Sequence, residues 1–192
     1  AASSPIIHMA CGYEHAIACK ANGEIIVWGL NNYGHLGLGN TTIQTTPTTV
    51  SSFPGSTTAI AVVASLNNCA VILSNYNIIT AGQGNFGFIG NNTNQQSYGD
   101  GAGETWAAAT SVDLGDDKKV HSTNVKRAIS VGGHAECIGV VLNDTGFLLW
   151  GRNSQAQLGL GAGGDRGDAA DEVENAIVAL GVGLYVKGYS SA

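Results

Sequence analysis

The stretch Gly82-Gln83-Gly84-Asn85-Phe86-Gly87 follows a run of strand-forming residues and spells G-x-G-x-x-G. Such a pattern lets backbone approach a dinucleotide pyrophosphate when a helix N-terminus follows it. No helix-forming run follows here, and the same loop returns elsewhere in fixed register, so no cofactor is expected. A second cluster is acidic. Gly164-Asp165-Arg166-Gly167-Asp168-Ala169-Ala170-Asp171-Glu172 spaces Asp165, Asp168 and Asp171 three residues apart. These three are metal candidates by charge, but the spacing is not that of a helix–loop–helix calcium site, and a solvated acidic loop is the simpler reading. The same loop holds Arg166-Gly167-Asp168, a tripeptide used by integrin ligands. Glu14 adjoins His15, and Glu136 lies two residues after His134. Neighbours on a strand point to opposite faces, so Glu14 and His15 make a poor acid–base pair. No H-E-x-x-H, nucleophile elbow or CxxC pair is present, and no catalytic residue is assigned.

The elements that carry these residues repeat. Trp28-Gly29-Leu30-Asn31-Asn32-Tyr33-Gly34-His35-Leu36-Gly37-Leu38-Gly39 returns as Trp150-Gly151-Arg152-Asn153-Ser154-Gln155-Ala156-Gln157-Leu158-Gly159-Leu160-Gly161. A diverged copy, Ala81-Gly82-Gln83-Gly84-Asn85-Phe86-Gly87-Phe88-Ile89-Gly90, lies between them. Each loop follows two predicted strands joined by a turn. In the first unit these are Ala16 to Lys20 and Ile25 to Trp28, around Asn22-Gly23, a favoured hairpin pair. The second unit has Cys69 to Leu73 and Ile78 to Ala81; the third has Ile138 to Leu142 and Phe147 to Trp150. Ala176 to Val186 resembles the start of a fourth unit. Several short strands per unit of ~50 residues, ended by glycine turns, match a propeller blade, which needs neighbours to cover its sheet faces. The expected fold is all-β: a partial β-propeller of about three blades plus an incomplete fourth. Residues 1–192 form a single propeller-repeat domain, with blades at about 9–58, 59–127 and 128–175 and a partial one at 176–192.

Composition narrows the function classes. The net charge of −6 with only 8 Lys+Arg argues against a phosphate-binding surface, so nucleic acid is not an expected partner. No apolar run is long enough to span a bilayer, and no signal peptide is expected. Charged residues are 11% of the chain, and a surface of Asn, Thr and Ser suits an extracellular, cell-surface or virion protein. Cys11, Cys19, Cys69 and Cys137 all fall in strand-like segments and read as small buried apolar residues.

The repeated residues resemble the regulator of chromosome condensation repeat family. In the first unit Gly12, His15, Asn22-Gly23, Trp28-Gly29, Asn31, Gly34, Leu36-Gly37 and Gly39 carry the likeness. In the third, Gly133, Gly146, Trp150-Gly151, Asn153, Gln157, Leu158-Gly159 and Gly161 carry it. The second departs from the pattern at Ala81, Phe88 and Asn68. The resemblance implies a seven-bladed propeller, of which this chain supplies about three and a half blades. It also implies that His15 bonds backbone within its own blade.

These readings converge on a non-enzymatic scaffold or protein–protein interaction module in a surface, virion or other large assembly. A protein partner or a second copy is expected over the open blade edges. The alternative implied by the resemblance is a guanine-nucleotide exchange factor acting on a small GTPase. Contacts are expected in the glycine loops, the 91–126 insertion and the 162–175 loop, with Trp106, Phe88, Arg166 and Asp168 as candidate interaction residues.

Overall fold

Short apolar runs stopped by tight turns fold as antiparallel meanders. In the computed structural model, residues 4–91, 95–112, 128–129, 137–142, 146–160, 164–167 and 177–178 are described. The first sheet is β1 (Ile6–Cys11), β2 (His15–Lys20), β3 (Ile25–Gly29) and β4 (Gln44–Val50), in that order. The second is β5 (Ala59–Ser65), β6 (Asn68–Leu73), β7 (Ile78–Gln83) and β8 (Ser97–Tyr98). The third is β9 (Ala128–Ile129), β10 (Cys137–Leu142), β11 (Gly146–Gly151) and β12 (Ile177–Val178). The β2–β3 turn has Gly23 at φ +85°, and Tyr76 takes the same left-handed place in the β6–β7 turn at φ +67°.

The outer strand of every sheet is interrupted at one register. Gly29, Gly82 and Gly151 pair with Gln44, Tyr98 and Arg166. A few residues further along the sheet, Val27 pairs with Thr48, Ile79 with Ser111 and Leu148 with Ile177. The excursion between these pairs is short in the first sheet and long in the other two. Ile177–Val178, which the sequence reading placed at the start of a fourth unit, is thus the outer strand of the third sheet.

The strand pleat divides each sheet into two faces. Ile17, Cys19, Ile25 and Val27 pack on Cys69, Val71, Ile79 and Ala81 between the first and second sheets. The alternate residues of the second sheet, Ala70, Ile72 and Ile78, pack with Ile138 and Trp150 of the third. β5 also packs against β1 and β2, and β9 against β5, so the first strands of the three sheets meet along one line. Stacked four-stranded meanders that converge on their first strands make a partial β-propeller. Cys19, Cys69 and Cys137 are buried free thiols, as expected, and burial raises the pKa of all three, that of Cys19 to about 11. Cys11 departs from the expectation. It is exposed, because it lies on the face of β1 turned away from the second sheet.

The two junctions share one device. Trp150 donates its indole N–H to the Phe88 carbonyl in the preceding blade's glycine loop at 3.0 Å. Trp106 donates to the Leu36 carbonyl at 2.7 Å. A Cβ on Gly90 would stand 3.0 Å from Trp150 Nε1, and one on Gly37 would stand 2.3 Å from Trp106 Nε1. The glycines are therefore sockets for the indoles, and their left-handed φ of +67° and +63° also disfavours a side chain. Trp150 pairs with Ile138 in β10, and the matching place in the second sheet is Ala81, opposite Cys69. Trp106 comes instead from the excursion between β8 and Ser111, yet it packs in the same core as Ala81. The second blade has moved its junction tryptophan from the return strand to the insertion.

Trp106→Ala should lower the unfolding free energy in denaturant titration by about 3–5 kcal/mol. Adding Ala81→Trp in that background should recover part of the loss. Ala81→Trp alone should cost about 1–3 kcal/mol through overpacking. A stable Ala81→Trp chain with no such penalty would show that Trp106 does not fill that place.

Candidate interaction site

Each glycine loop is shaped by an asparagine at its start. Asn31 Oδ1 accepts from the Leu36 backbone N–H at 2.9 Å, and its Nδ2 donates to the Asn40 carbonyl at 2.6 Å. Asn153 repeats the arrangement, accepting from Leu158 N–H at 3.1 Å and donating to the Gly164 carbonyl at 3.4 Å. The second loop has Gly84 there, because a Cβ would stand 1.9 Å from the Gln95 carbonyl oxygen. Its backbone N–H bonds to Gln96 instead. The G-x-G-x-x-G segment therefore ends in a short 3-10 turn, Asn85–Gly87, and not in a helix that could receive a phosphate.

The loops after β3 and the turn before β2 meet at one end of the array, where His15 pairs with Gly29. Several large side chains at this end are not needed by the core. Tyr13 is 63% exposed and Tyr33 40% exposed. In repeat register Tyr33 corresponds to Phe86, which is held at φ +66°. A bulky residue in the left-handed region is strained, and such strain concentrates at functional positions. The Arg152 guanidinium of the third blade lies over the Phe86 ring, 4.7 Å from its centroid. Exposed aromatic groups with a stacked arginine are the side-chain types enriched in protein-binding patches.

Two histidines lie beneath this end. The rings of His15 and His35 are 4.2 Å apart and tilted by 41°. His35 Nε2–H donates to the Leu30 carbonyl. His15 Nε2, His35 Nδ1 and the nearby Asn68 Oδ1 are buried without a hydrogen-bond partner among the described residues. Burial holds the His15 pKa down at about 3, with a further decrease from His35, and the Asn68 backbone counters only part of this. Burial likewise lowers His35 to about 4. His15 thus faces the second blade, where the resemblance implied a bond within its own. Glu14 is exposed on the other side of the strand and forms no dyad with it.

The residues expected at a partner surface are distributed differently. Trp106 and Phe88 are 0% and 1% exposed, because both fill blade junctions, and neither presents its side chain to a partner here. Arg166 is half-buried. Its backbone pairs with Gly151 in both directions, and its Nη1 donates to the Gly164 and Asp165 carbonyls at 3.2 Å. The Asp165 carboxylate accepts from the Asn153 backbone N–H at 2.7 Å, so it caps the third loop. Asp168 and Asp171 lie outside the described residues, as do His134 and Glu136. Among the described residues no group of three or more His, Cys, Asp or Glu side chains is placed to hold a metal ion.

Sheets and glycine loops together define a β-propeller repeat fold. Two family models of the regulator of chromosome condensation (RCC1) repeat match the chain, at residues 22–72 and 6–34. Residues 6–72 are thus similar to repeats of this family. The human X-linked retinitis pigmentosa GTPase regulator is 27% identical over 154 residues, 80% of this chain and 13% of that protein. The zebrafish E3 ubiquitin-protein ligase MYCBP2 is 31% identical over 84 residues, 44% of this chain and 2% of that protein. Among solved structures, Prp20p from Saccharomyces cerevisiae superposes with a TM-score of 0.62 at 18% identity, over 85% of this chain and 37% of that one. Human WBSCR16 superposes with a TM-score of 0.61 at 17% identity, over 78% and 33%. These structures share the fold, and the chain spans about a third of their length.

The two histidines make stability depend on pH. The unfolded chain takes up protons near the ordinary value of 6.5, whereas the folded imidazoles stay neutral down to about 3 and 4. Their contribution is complete above pH 6.5 and is lost as pH falls below it, by at most about 1.4 kcal/mol per pH unit for each histidine. His8, also lowered by burial, acts in the same direction. Urea midpoints should therefore drop between pH 7 and pH 5, and His35→Gln should flatten the drop. A midpoint that is constant across that range would contradict the buried neutral pair.

Proposed function

We propose that the chain is a non-enzymatic scaffold whose loop rim binds a protein partner as part of a larger assembly. The observation that carries this reading is the set Tyr13, Tyr33 and Phe86 under Arg152, large side chains held at one end of the blades outside the two cores. The net charge of −6 favours a protein surface over a nucleic-acid backbone. A catalytic role finds no support in the paired histidines. Burial disfavours their charged form, and among the described residues neither has an acidic partner to turn it into a base.

A second reading concerns the class of partner. The relative that aligns with 80% of this chain is a GTPase regulator, and the solved Prp20p structure was described with its binding to Gsp1p and histones. The first fact supports a small GTPase as the protein bound at the rim, with accelerated nucleotide release as the stronger form of the reading; the second supports a protein partner in general.

Immobilised chain should capture a partner that the triple variant Tyr13→Ala/Tyr33→Ala/Arg152→Ala captures at least tenfold less, with unchanged circular dichroism. Equal capture by both would remove the rim from the account. Nucleotide release across a panel of small GTPases separates the two readings. Acceleration by the chain identifies a regulator, and binding without acceleration identifies a scaffold.

A further inference from the structure

Acid weakens the whole fold, and the geometry decides which part yields first. His15 is fixed. It opens β2 opposite Gly29, and its ring is wedged between the blades: a Cβ on Gly12 would stand 2.0 Å from His15 Cε1 and 2.5 Å from the Ser65 carbonyl oxygen. His35 lies instead in the first glycine loop, outside any strand. Its neighbours form successive turns, with Gly34 N–H on the Asn31 carbonyl and Gly37 N–H on the Gly34 carbonyl. The Leu30 carbonyl already accepts from His35 Nε2–H, so a second proton would go on Nδ1, which is buried with no acceptor among the described residues. The rings are 4.2 Å apart, so a cation on one would lie against the other. No counter-charge is placed to offset it. Tyr13 and Glu14 belong to the β1–β2 turn, Tyr33 to the loop itself, and Tyr98, Asp100 and Glu104 to the excursion behind Gly34. β1 ends in Cys11, β6 carries Cys69, and the turn between β5 and β6 has no titratable side chain. Glu14 is exposed, the Asp100 carboxylate accepts from Ser97, and Glu104 Oε2 accepts from the Gly99 and Gly101 N–H groups. None of these carboxylates acts on either ring. His35 is joined directly to Leu36, whose carbonyl accepts the Trp106 indole N–H and whose own N–H is held by Asn31. A shift of His35 therefore moves the socket.

We propose that the His15–His35 pair is an acid-sensitive latch on the first glycine loop. When the pair takes up protons, His35 swings out, Leu36 moves with it and Trp106 leaves its socket, while the junction between the second and third sheets stays closed. The second blade supplies the contrast. Asn68 pairs with Gly82 as His15 pairs with Gly29, and Phe88 follows Gly87 as His35 follows Gly34. The loop that receives Trp150 thus has the socket without either histidine. Burial keeps both rings neutral in the closed loop, with pKa values of about 3 and about 4, whereas a solvated imidazole takes up its proton near 6.5. The latch is therefore closed above pH 6.5, and opening is promoted as pH falls below that value. Tyr33 rides on the same loop and moves with it. The latch stands on the junction geometry and needs no partner at the rim.

Hydrogen exchange of the indole Nε1–H groups tests the latch, with protection taken relative to a free indole at the same pH. Between pH 7 and pH 5 the ratio of Trp150 protection to Trp106 protection should rise roughly tenfold or more, because only the Trp106 socket carries the pair. His35→Gln keeps an N–H donor for the Leu30 carbonyl, and His15→Asn installs the residue that the second blade has there. Each alone should reduce the rise, and the two together should remove it. His8→Gln changes another buried histidine with a lowered pKa and should leave the rise in place. Near-ultraviolet circular dichroism identifies any variant that fails to fold, and the parent's ratio carries the test alone if the double variant does. Equal loss of protection at both indoles would mean that acid only weakens the fold as a whole, and it would overturn the latch. So would a ratio that does not change with pH, a rise that persists in the folded double variant, or one that disappears in folded His8→Gln.

Discussion

A blade in this protein cannot be stable alone, because its four-stranded sheet is apolar on both faces. Ile17, Cys19, Ile25 and Val27 turn one way, and Ala16, Ala18, Ile26 and Trp28 turn the other. What holds neighbouring blades together is a tryptophan laid into the glycine loop of the blade before it. Burying one indole removes on the order of 200 Å² from water, about 5 kcal/mol at 25 cal/mol per Å². The N–H···O bond adds a net ~1 kcal/mol. The area therefore dominates the energy, and the hydrogen bond fixes where the ring lies. Leaving either partner of that bond buried and unpaired would cost more than the bond contributes, so socket and tryptophan constrain each other.

This constraint fixes where the chain can vary. The outer strand opens at one register in all three sheets, and insertions enter there without disturbing the inner strands. The second blade uses that freedom to bring in Trp106, and its return strand then tolerates Ala81. The excursion is itself well ordered. Glu104 Oε2 accepts from the Gly99 and Gly101 backbone N–H groups, and Ser97 donates to Asp100 at 2.6 Å. Gly34 backs directly onto Gly99 and Asp100, so the insertion is anchored to the preceding loop at several points. With the junctions bearing the packing, the rim residues Tyr13, Tyr33 and Phe86 lie outside the two cores.

Much of this was legible in the sequence because it is periodic. Glycines that recur in register, bounded by short apolar runs, imply repeated blades, and Asn22-Gly23 marks its hairpin. Three things were not legible, each for a physical reason. Trp106 belongs to a junction through a contact 70 residues away with Leu36, and no repeat pattern links an insertion to the loop it fills. The resulting loss of tryptophan at Ala81 then reads as simple decay. The strand Ile177–Val178 is separated by an excursion from the rest of its sheet, so its residues look like the opening of a new unit. The proximity of His15 and His35 arises from a turn and a loop converging on one end, which spacing along the chain does not reveal. The rim tyrosines did carry a sequence signal, as large aromatic residues beside turn glycines, but it is one that core aromatic residues share.

Blade packing rests on the indole junctions, and the three tryptophan Nε1–H groups report their surroundings separately. Nuclear magnetic resonance hydrogen exchange resolves all three. Trp106 and Trp150 should exchange slowly, at rates set by opening of the blade array, while Trp28 exchanges rapidly. Rapid exchange at Trp106, or protection of Trp28 equal to that of Trp150, would contradict the assignment of tryptophans to sockets on which the structure depends.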